Sequence, residues 1–270
     1  MLLKNINLHL HPVIWPAHNV LAFTSTRYHP STELAPNKTP NIKFSKYSAF
    51  NLGDHVGDDH QCVMKNRASL LDFLPLSTRI QWFEQVHGVD VAQITCYSEK
   101  PVTADAAITS EKNIALAMMT ADCLPIVLSS KYGDEIAAIH GGWRPLVGNI
   151  IANTVNQMQC SNEDIFAWLG PCIGADKFEV GDDVKDQFVK QSKIFEHAFN
   201  EKKNSKKSET PKQPRKYLAD LALIAKLQLN QLGIKNIDHL SHCTFTRERE
   251  YFSYRRDGQT GRMATIICRT

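Results

Sequence analysis

The chain of 270 residues carries 31 basic and 28 acidic side chains, and 43% of its residues are hydrophobic. This composition is typical of an ordinary globular protein and excludes the disordered and fibrous classes. No apolar run approaches the roughly 18 residues of a membrane-spanning helix, so no membrane partner is expected. Polar residues interrupt the first fifteen positions, which therefore do not resemble a secretory signal, and we expect a cytoplasmic protein.

The basic charge of the chain is unevenly distributed. Residues 201–216 hold seven Lys or Arg and only two acids. Recognition of nucleic acid needs basic groups organised on one face, whereas this surplus is confined to one polar, Pro-containing segment. The segment predicts a surface loop and no nucleic-acid partner. Residues 28–45, rich in Pro, Thr, Asn and Ser, predict a second loop insertion within a single domain spanning residues 1–270.

Short apolar runs with β-branched and aromatic residues predict strands in eight places. In chain order these are residues 20–24, 81–85, 89–94, 113–118, 124–129, 135–140, 165–169 and 263–268. Apolar residues at helical spacing predict helices over residues 62–71, 145–158, 183–191 and 217–232, with Gly233 as the stop of the last helix. Strands and helices mix without strict βαβ alternation, which predicts an α+β fold of mixed β-sheets flanked by helices.

The segment from Thr120 to Arg144 is the richest in chemistry-bearing residues. Two apolar runs flank the polar tip SKYGD, a pattern typical of a β-hairpin with a loop of four or five residues. If Ser129 pairs with Asp134, Cys123 lies directly opposite His140; if Ser129 pairs with Glu135, Cys123 is displaced by one residue. Opposed residues have Cβ atoms about 4.5–5.5 Å apart, close enough for a shared metal ion or a thiolate–imidazole pair.

A purely structural interpretation of this hairpin stands beside the chemical one. Cys123 is also consistent with a small buried hydrophobe, and His140 with a core histidine. The predicted helix over residues 145–158 begins directly after Arg144, and its first amides together with this guanidinium group suit an anion such as phosphate.

Other histidines and one polar loop are less specific. His87 falls between two predicted strands and carries little weight alone. His9 and His11 are predicted to lie on the surface, because no second His-x-His pair extends them into a multicopper cluster. Residues 51–59, NLGDHVGDD, predict either an ordinary turn or a loop that grips a substrate.

Several motifs in one order resemble those of the laccase-domain proteins. They are NLGDHVGDD, QVHGVDV, TADCLPIVL, IHGGWR, LGPCIG with FEVG, and YFSYRRDGQTGRMA. The resemblance runs from about Val20 to the C-terminus. Members of this family have been called polyphenol oxidoreductases, peptidoglycan-editing factors and purine nucleoside phosphorylases.

The resemblance implies an α+β fold and one zinc ion bound by two histidines and a cysteine. The matching positions are His87, Cys123 and His140, so the resemblance adds His87 to the pair that the hairpin indicates. Three protein ligands and an open fourth position are typical of catalytic zinc. The activity implied is phosphorolysis of adenosine, inosine and methylthioadenosine, with adenosine deamination as a side reaction, and copper is the alternative metal.

On this hypothesis Cys123, His140 and Asn51 are the candidate catalytic residues, with Asn51 hydrogen-bonded to base or ribose. Arg27 and Arg144 are candidate phosphate contacts. The chain departs from the family pattern in four places, two of which are Asp54, where an apolar residue is more usual, and the basic insert at residues 201–216. The family's TR motif is followed by a glycine pair, whereas here Tyr28, His29 and Pro30 follow Arg27. The family's HAGWRG appears as HGGWRP.

The sequence is also consistent with three other functions. The first is a hydrolase or amidase acting on cell-wall precursors, with Cys123 as nucleophile and His140 as base. The second is a copper-dependent polyphenol oxidase, although one His₂Cys site lacks the paired histidine motifs of a multicopper cluster. The third is a non-catalytic binding protein whose function depends on residues 201–216 or on a surface patch.

Overall fold

The computed structural model describes residues 9–31, 45–202 and 215–270. In these ranges the strands are β1 Leu10–Pro12, β2 Val20–Ser25, β3 Arg79–Gln81, β4 Phe83–Glu84, β5 Val91–Gln93, β6 Val102–Thr103, β7 Ala106–Thr109, β8 Ile114–Thr120, β9 Leu124–Ser130, β10 Ile136–Gly141, β11 Ile165–Leu169, β12 Glu179–Gly181, β13 Phe199–Glu201, β14 Lys216–Ala219, β15 Asn236–His239 and β16 Met263–Arg269. The α-helices are α1 His60–Ser69, α2 Trp143–Val147, α3 Ile150–Val155, α4 Asp182–Gln191, α5 Leu221–Gln231 and α6 Tyr254–Asp257. Short 3₁₀ helices span Leu70–Phe73, Asn162–Asp164 and Lys193–Ala198.

Two sheets form the centre of the molecule. One has five strands in the order β1-β2-β16-β8-β3, and the other has six in the order β15-β11-β9-β10-β7-β5. A three-stranded sheet, β12-β14-β13, and the pair β4-β6 complete the strands of the described residues. Parallel and antiparallel pairs occur together in both large sheets. This architecture confirms the predicted α+β fold of mixed sheets flanked by helices.

Both faces of strand β9 are buried, which explains why its sequence is apolar throughout rather than alternating. Val127 packs on one face of the strand in a cluster with Leu116 and Met118 of β8. The neighbouring residues Ile126 and Leu128 point to the other face, in a cluster that includes residues of α3 and α5. All seven residues of the strand are buried, because helices cover one face of the sheet and the second sheet covers the other.

The hairpin between β9 and β10 exists, but both predicted registers are wrong. Ser129 pairs with Ile136, and His140 is therefore opposite Pro125 rather than Cys123. The pairing is shifted towards the C-terminus relative to both predictions: the amide of Ser130 donates to the carbonyl of Glu135 at 3.0 Å, so the four residues 131–134 form the loop. Cys123 lies just before β9, beyond the last pair of the ladder.

The predicted helix over residues 145–158 is wrong as a single element. It is divided into α2 and α3 by Gly148 and Asn149, and Asn149 adopts a left-handed conformation with φ of 65°. A side chain at Gly148 would come within 2.3 Å of Val89, so this close approach requires glycine. Because α2 has only five residues, the anion site expected from the dipole of a long helix lacks its structural basis.

The other predicted elements are present with local differences. The prediction over residues 217–232 begins in strand β14 and becomes helical at α5, where the side chain of Asp220 accepts the amide of Leu223 as an N-cap. Gly233 follows α5 with φ of 86°, as its role as a stop requires. The prediction over residues 81–85 divides into β3 and β4. Most of the predicted loops 28–45 and 201–216 lies outside the described residues.

Among the described residues, the structure contains no helix that is long and apolar enough to cross a membrane. His9 and His11 differ from the prediction. His9 is only 3% exposed, and its ring packs against that of Tyr28 with centroids 5.0 Å apart. His11 is partly buried, and its ring packs edge-on against His242 with centroids 5.3 Å apart.

Candidate active site

Three side chains that are far apart in sequence meet near the start of β9. His87, Cys123 and His140 each offer one ligand atom, and the three atoms lie within 4.8 Å of one another. The Sγ atom of Cys123 is 3.8 Å from Nε2 of His87, and the two imidazole rings have centroids 4.7 Å apart. The structure therefore brings together the three residues that the sequence selects as metal ligands, even though the hairpin register differs.

The loop that carries His87 is held by one buried carboxylate. Asp105, which is fully buried, accepts the backbone amides of Val86, His87 and Gly88 at 3.1, 3.0 and 2.7 Å. These three bonds stabilise a left-handed conformation at His87, whose φ is 59°. A non-glycine residue is rarely found there, and such outliers are characteristic of functional sites.

The same carboxylate orients His140. Oδ1 of Asp105 lies 2.7 Å from Nδ1 of His140, and this ionised oxygen can only accept, so Nδ1 carries the proton. In the neutral imidazole, Nε2 of His140 is then left with its lone pair, which is the arrangement of a metal-ligating histidine. Burial by itself would raise the pKa of Asp105, but the bonds from His140 and from the Gly88 amide outweigh it and hold this pKa below its ordinary value.

Cys123 and His140 form a charge pair when no metal is bound. Burial disfavours the thiolate, yet the neighbouring His140 and His87 outweigh burial and lower the pKa of Cys123 to about 6. Burial also disfavours the imidazolium, but the Cys123 thiolate and Asp105 raise the pKa of His140 to about 9. The thiolate is the form of cysteine that binds metals and attacks carbon.

These groups fit a zinc ion. Two imidazoles and a thiolate supply three of the four positions of a tetrahedral site and leave one position for substrate or water, as in catalytic zinc centres. The proton of His140 is already held on the nitrogen that faces Asp105. The donor set also suits copper, for which His₂Cys ligation is known.

The cluster opens into a cavity of about 410 Å³, within the roughly 300–1,000 Å³ of small-molecule sites. Three guanidinium groups line it, from Arg144, Arg255 and Arg262. Aromatic rings line it as well, including those of Trp143 and Tyr254. A cavity with several cations and aromatic faces beside this His₂Cys cluster is suited to an anionic or polar aromatic ligand.

The three arginines differ in how far their donors are already used. Arg255 donates to the carbonyl of Glu179 at 3.0 Å, and Arg262 donates to two backbone carbonyls at 2.8 and 3.0 Å. Arg144 is exposed and packs over Trp143 at 4.5 Å, and its guanidinium group makes no hydrogen bond or ion pair to any described residue. Arg144 is therefore the guanidinium group best able to accept a new anion.

Arg27 and Asn51 do not line this cavity. The guanidinium group of Arg27, which is 3% exposed, donates to the backbone carbonyls of Ser45, Ser48 and Glu248 and so joins distant loops. Asn51 is fully buried, and its Oδ1 accepts the amides of Gly53 and Arg262 at 2.9 Å each. Asn51 thus holds the backbone of a cavity residue without facing the cavity.

Sequence reasoning missed four residues of the site: Asp105, Asp122, Arg255 and Arg262. The last two lie in the motif YFSYRRDGQTGRMA, whose arginines are a signal for a cationic cavity. Asp122 precedes Cys123 and has φ of 98°. Its carboxylate accepts the hydroxyls of Thr244 and Ser253 and, at 2.6 Å, the amide of Arg255, so it ties the ligand loop to the arginine-bearing segment.

The α+β fold and this His₂Cys cluster define a protein with a candidate catalytic metal centre at the end of a buried hairpin. Comparison with known proteins agrees with that description. Residues 37–270 match the family described as multi-copper polyphenol oxidoreductase laccase. The chain belongs to this family, the laccase-domain proteins, and the predicted resemblance is confirmed.

Similar proteins cover nearly the whole chain. A protein of Haemophilus influenzae named purine nucleoside phosphorylase is 41% identical over 249 residues, covering 92% of this chain and 94% of that protein. The Escherichia coli purine nucleoside phosphorylase YfiH is 37% identical, covering 84% and 88%. The crystal structure of Neisseria meningitidis protein NMB0706 superposes with a TM-score of 0.83 at 34% identity, covering 97% of this chain and 99% of that one.

Proposed function

We propose that this protein is a zinc-containing purine nucleoside phosphorylase acting on adenosine, inosine and methylthioadenosine, with adenosine deamination as a second activity. The observation that carries the proposal is the junction of the His87–Cys123–His140 cluster with a cavity lined by three arginines and by aromatic rings. The names of the similar proteins of Haemophilus influenzae and Escherichia coli support the same reaction class.

His87, Cys123 and His140 would hold the zinc ion. An ion bound there supplies Lewis acidity to an oxygen of water or substrate. Asp105 keeps the proton of His140 on Nδ1 and thereby keeps Nε2 available as a ligand. It also holds the left-handed backbone that turns His87 towards the other two ligands.

Phosphorolysis needs an anion site beside the nucleoside. We assign Arg144 as the principal phosphate contact, because its donors are unused by the described residues and it lines the cavity. Arg255 and Arg262 add positive charge at the same cavity, which favours the negative charge of phosphate. Trp143 and Tyr254 offer faces on which a purine base can stack.

Asn51 and Arg27 take supporting roles in this proposal. Asn51 positions the backbone of Arg262 through its side-chain oxygen, and we assign it no contact with base or ribose. Arg27 stabilises the segment that leads to the cavity residues: its amide donates to the carbonyl of Glu250 at 2.8 Å, and its guanidinium group packs over Phe252 at 4.7 Å.

The test is a nucleoside panel assayed with and without phosphate on protein whose metal content is measured. Free base and a pentose phosphate should form from adenosine and inosine only when phosphate is present. Cys123→Ala should lose the zinc bound at this site and the release of free base, whereas the matched control Cys96→Ala, at an exposed cysteine, should keep both. Phosphorolysis that persists in a metal-free protein would overturn the zinc-centred proposal.

A second candidate function rests on the thiolate of the metal-free site. Cys123, with a pKa of about 6, lies beside His140 as the nucleophile and base of a cysteine amidase would. A ligated thiolate is not free to attack, so the two functions require opposite metal states. Amide hydrolysis that increases when zinc is removed would favour this function over phosphorolysis.

A further inference from the structure

A second group of metal-ligating side chains lies away from the cavity. His11 on β1, His242 after β15 and Glu250 each offer one ligand atom, and these atoms lie within 4.8 Å of one another. None of the three residues lines the cavity. We call them the His11 cluster.

The distances from the two histidine nitrogens to the Glu250 carboxylate are too long for direct hydrogen bonds. They are close to the distances between neighbouring ligand atoms around a single metal ion. Nε2 of His11 and Nδ1 of His242 lie 3.9 and 4.0 Å from the same oxygen, Oε2 of Glu250. Zinc bonds of about 2.0–2.2 Å in a tetrahedral site place neighbouring ligand atoms about 3.4 Å apart. Movements of about half an ångström, within the reach of side-chain torsions, would therefore complete the geometry.

One atom of the His11 cluster lacks a partner. Nε2 of His11 is buried from solvent and makes no hydrogen bond within the described part of the chain. Burying a polar atom without a partner costs about 1–3 kcal/mol. An ion between this nitrogen and Glu250 would satisfy it.

Two further contacts bear on the ligand atoms. Arg247 binds the opposite oxygen of Glu250, Oε1, through two nitrogens at 2.7 and 2.9 Å, which leaves Oε2 for the histidines. Ligating carboxylates are commonly held by such a second hydrogen-bonding partner. The hydroxyl of the buried Tyr251 lies 2.8 Å from Nδ1 of His242, so an ion bound by this nitrogen would replace that hydrogen bond.

We propose that His11, His242 and Glu250 form a second site, outside the cavity, for a divalent transition metal ion of the zinc type. Two imidazoles and a carboxylate are a ligand set that zinc prefers. The ion would join strand β1 to the segment that leads from residue 242 to Arg255. Since Arg255 lines the cavity, this site would stabilise one wall of the candidate active site.

Metal stoichiometry in a protein whose first site is removed tests the proposal. The double variant His87→Ala/Cys123→Ala should retain one zinc equivalent in equilibrium dialysis against micromolar zinc, where the wild type binds two. Adding His11→Ala and His242→Ala should reduce binding to none. Adding His18→Ala instead, at an exposed histidine outside both groups, should leave one equivalent.

Cobalt provides a spectroscopic readout that is independent of activity. The first site includes a thiolate and gives a sulfur-to-cobalt charge-transfer band, whereas the His11 cluster contains no sulfur. The His87→Ala/Cys123→Ala variant should therefore bind cobalt with ligand-field bands and without that charge-transfer band. Zinc should also raise the melting temperature of this variant, and Glu250→Gln, which is milder than removing both histidines, should abolish the shift.

The proposal is overturned if the His87→Ala/Cys123→Ala variant binds no more zinc than the version that also lacks His11 and His242. It is equally overturned if Glu250→Gln leaves the thermal shift unchanged. Both outcomes are independent of the phosphorylase proposal, because neither measurement uses substrate.

Discussion

Replacing Asp105 by Asn changes one oxygen to an NH₂ group at the centre of the ligand network. Oδ1 accepts from His140 and from the amide of His87, while Oδ2 accepts from the amides of Val86 and Gly88. The side-chain amide of Asn can take two orientations, and each orientation disrupts two of these four hydrogen bonds. The two orientations damage the site differently.

With NH₂ in place of Oδ2, the loop amides of Val86 and Gly88 face a donor, and the backbone that turns His87 is destabilised. With NH₂ in place of Oδ1, Nδ1 of His140 must accept, so its proton moves to Nε2 and the lone pair for the metal is lost. Loss of such an outer partner typically weakens metal binding 10–100-fold, or about 1.4–2.7 kcal/mol. The unsatisfied buried donors add about 1–3 kcal/mol each to the loss of folding stability.

The measurement is zinc competition with a chromophoric chelator at neutral pH, together with thermal unfolding of the metal-free protein. Asp105→Asn should raise the Kd for zinc at the His87–Cys123–His140 site at least tenfold and should lower the melting temperature. Asp90→Asn is the matched control, because it removes the same charge from an exposed side chain nearby and should change neither value. A Kd within twofold of the wild type, in a protein that is folded, would refute the assignment of Asp105 as the residue that orients the ligands.

Three further predictions follow from the same structure. In metal-free protein carrying Cys62→Ser and Cys96→Ser, the alkylation rate of Cys123, followed by mass spectrometry, should rise with pH and level off above about 6, because the thiolate forms there. A pH midpoint of this rate near the ordinary thiol pKa of 9.0 would contradict the prediction. Asp122→Asn should raise the KM for phosphate about tenfold with a smaller change in kcat. The reason is that the hydrogen bond from the backbone amide of Arg255 to Asp122, worth about 1.5 kcal/mol, is weakened. Equal effects on KM and kcat in steady-state kinetics would count against this role of Asp122. Leu128→Ala should lower the free energy of unfolding, measured by urea titration, by about 2–5 kcal/mol, because this side chain is fully buried. Leu76→Ala, at a residue 97% exposed, should change it by no more than about 0.5 kcal/mol. Similar losses for both variants would show that β9 is not a core strand.

Local patterns were sufficient to predict the central elements. The residues of β9 and β10 are apolar because both faces of their sheet are covered, and a run of that kind is visible in the sequence without knowledge of its neighbours. The ends of helices were harder to predict from the sequence. Asn149 turns the chain between α2 and α3, and the reason for that turn is the close packing of Gly148 against Val89, a residue 59 positions earlier in the sequence.

The sequence by itself determined the composition class, the α+β fold, the hairpin and the three candidate ligands His87, Cys123 and His140, because each of these follows from local patterns or from motifs. Only the tertiary structure decided which groups surround the ligands. Asp105 reaches His140 through a sheet pairing, and Arg255 reaches the cavity because it is held by Asp122, a residue 133 positions away. The net charge of +3 also says little about function by itself. The positive charge relevant to ligand binding comes from three arginines that the fold brings together around one cavity, and a count of charges along the sequence does not reveal this.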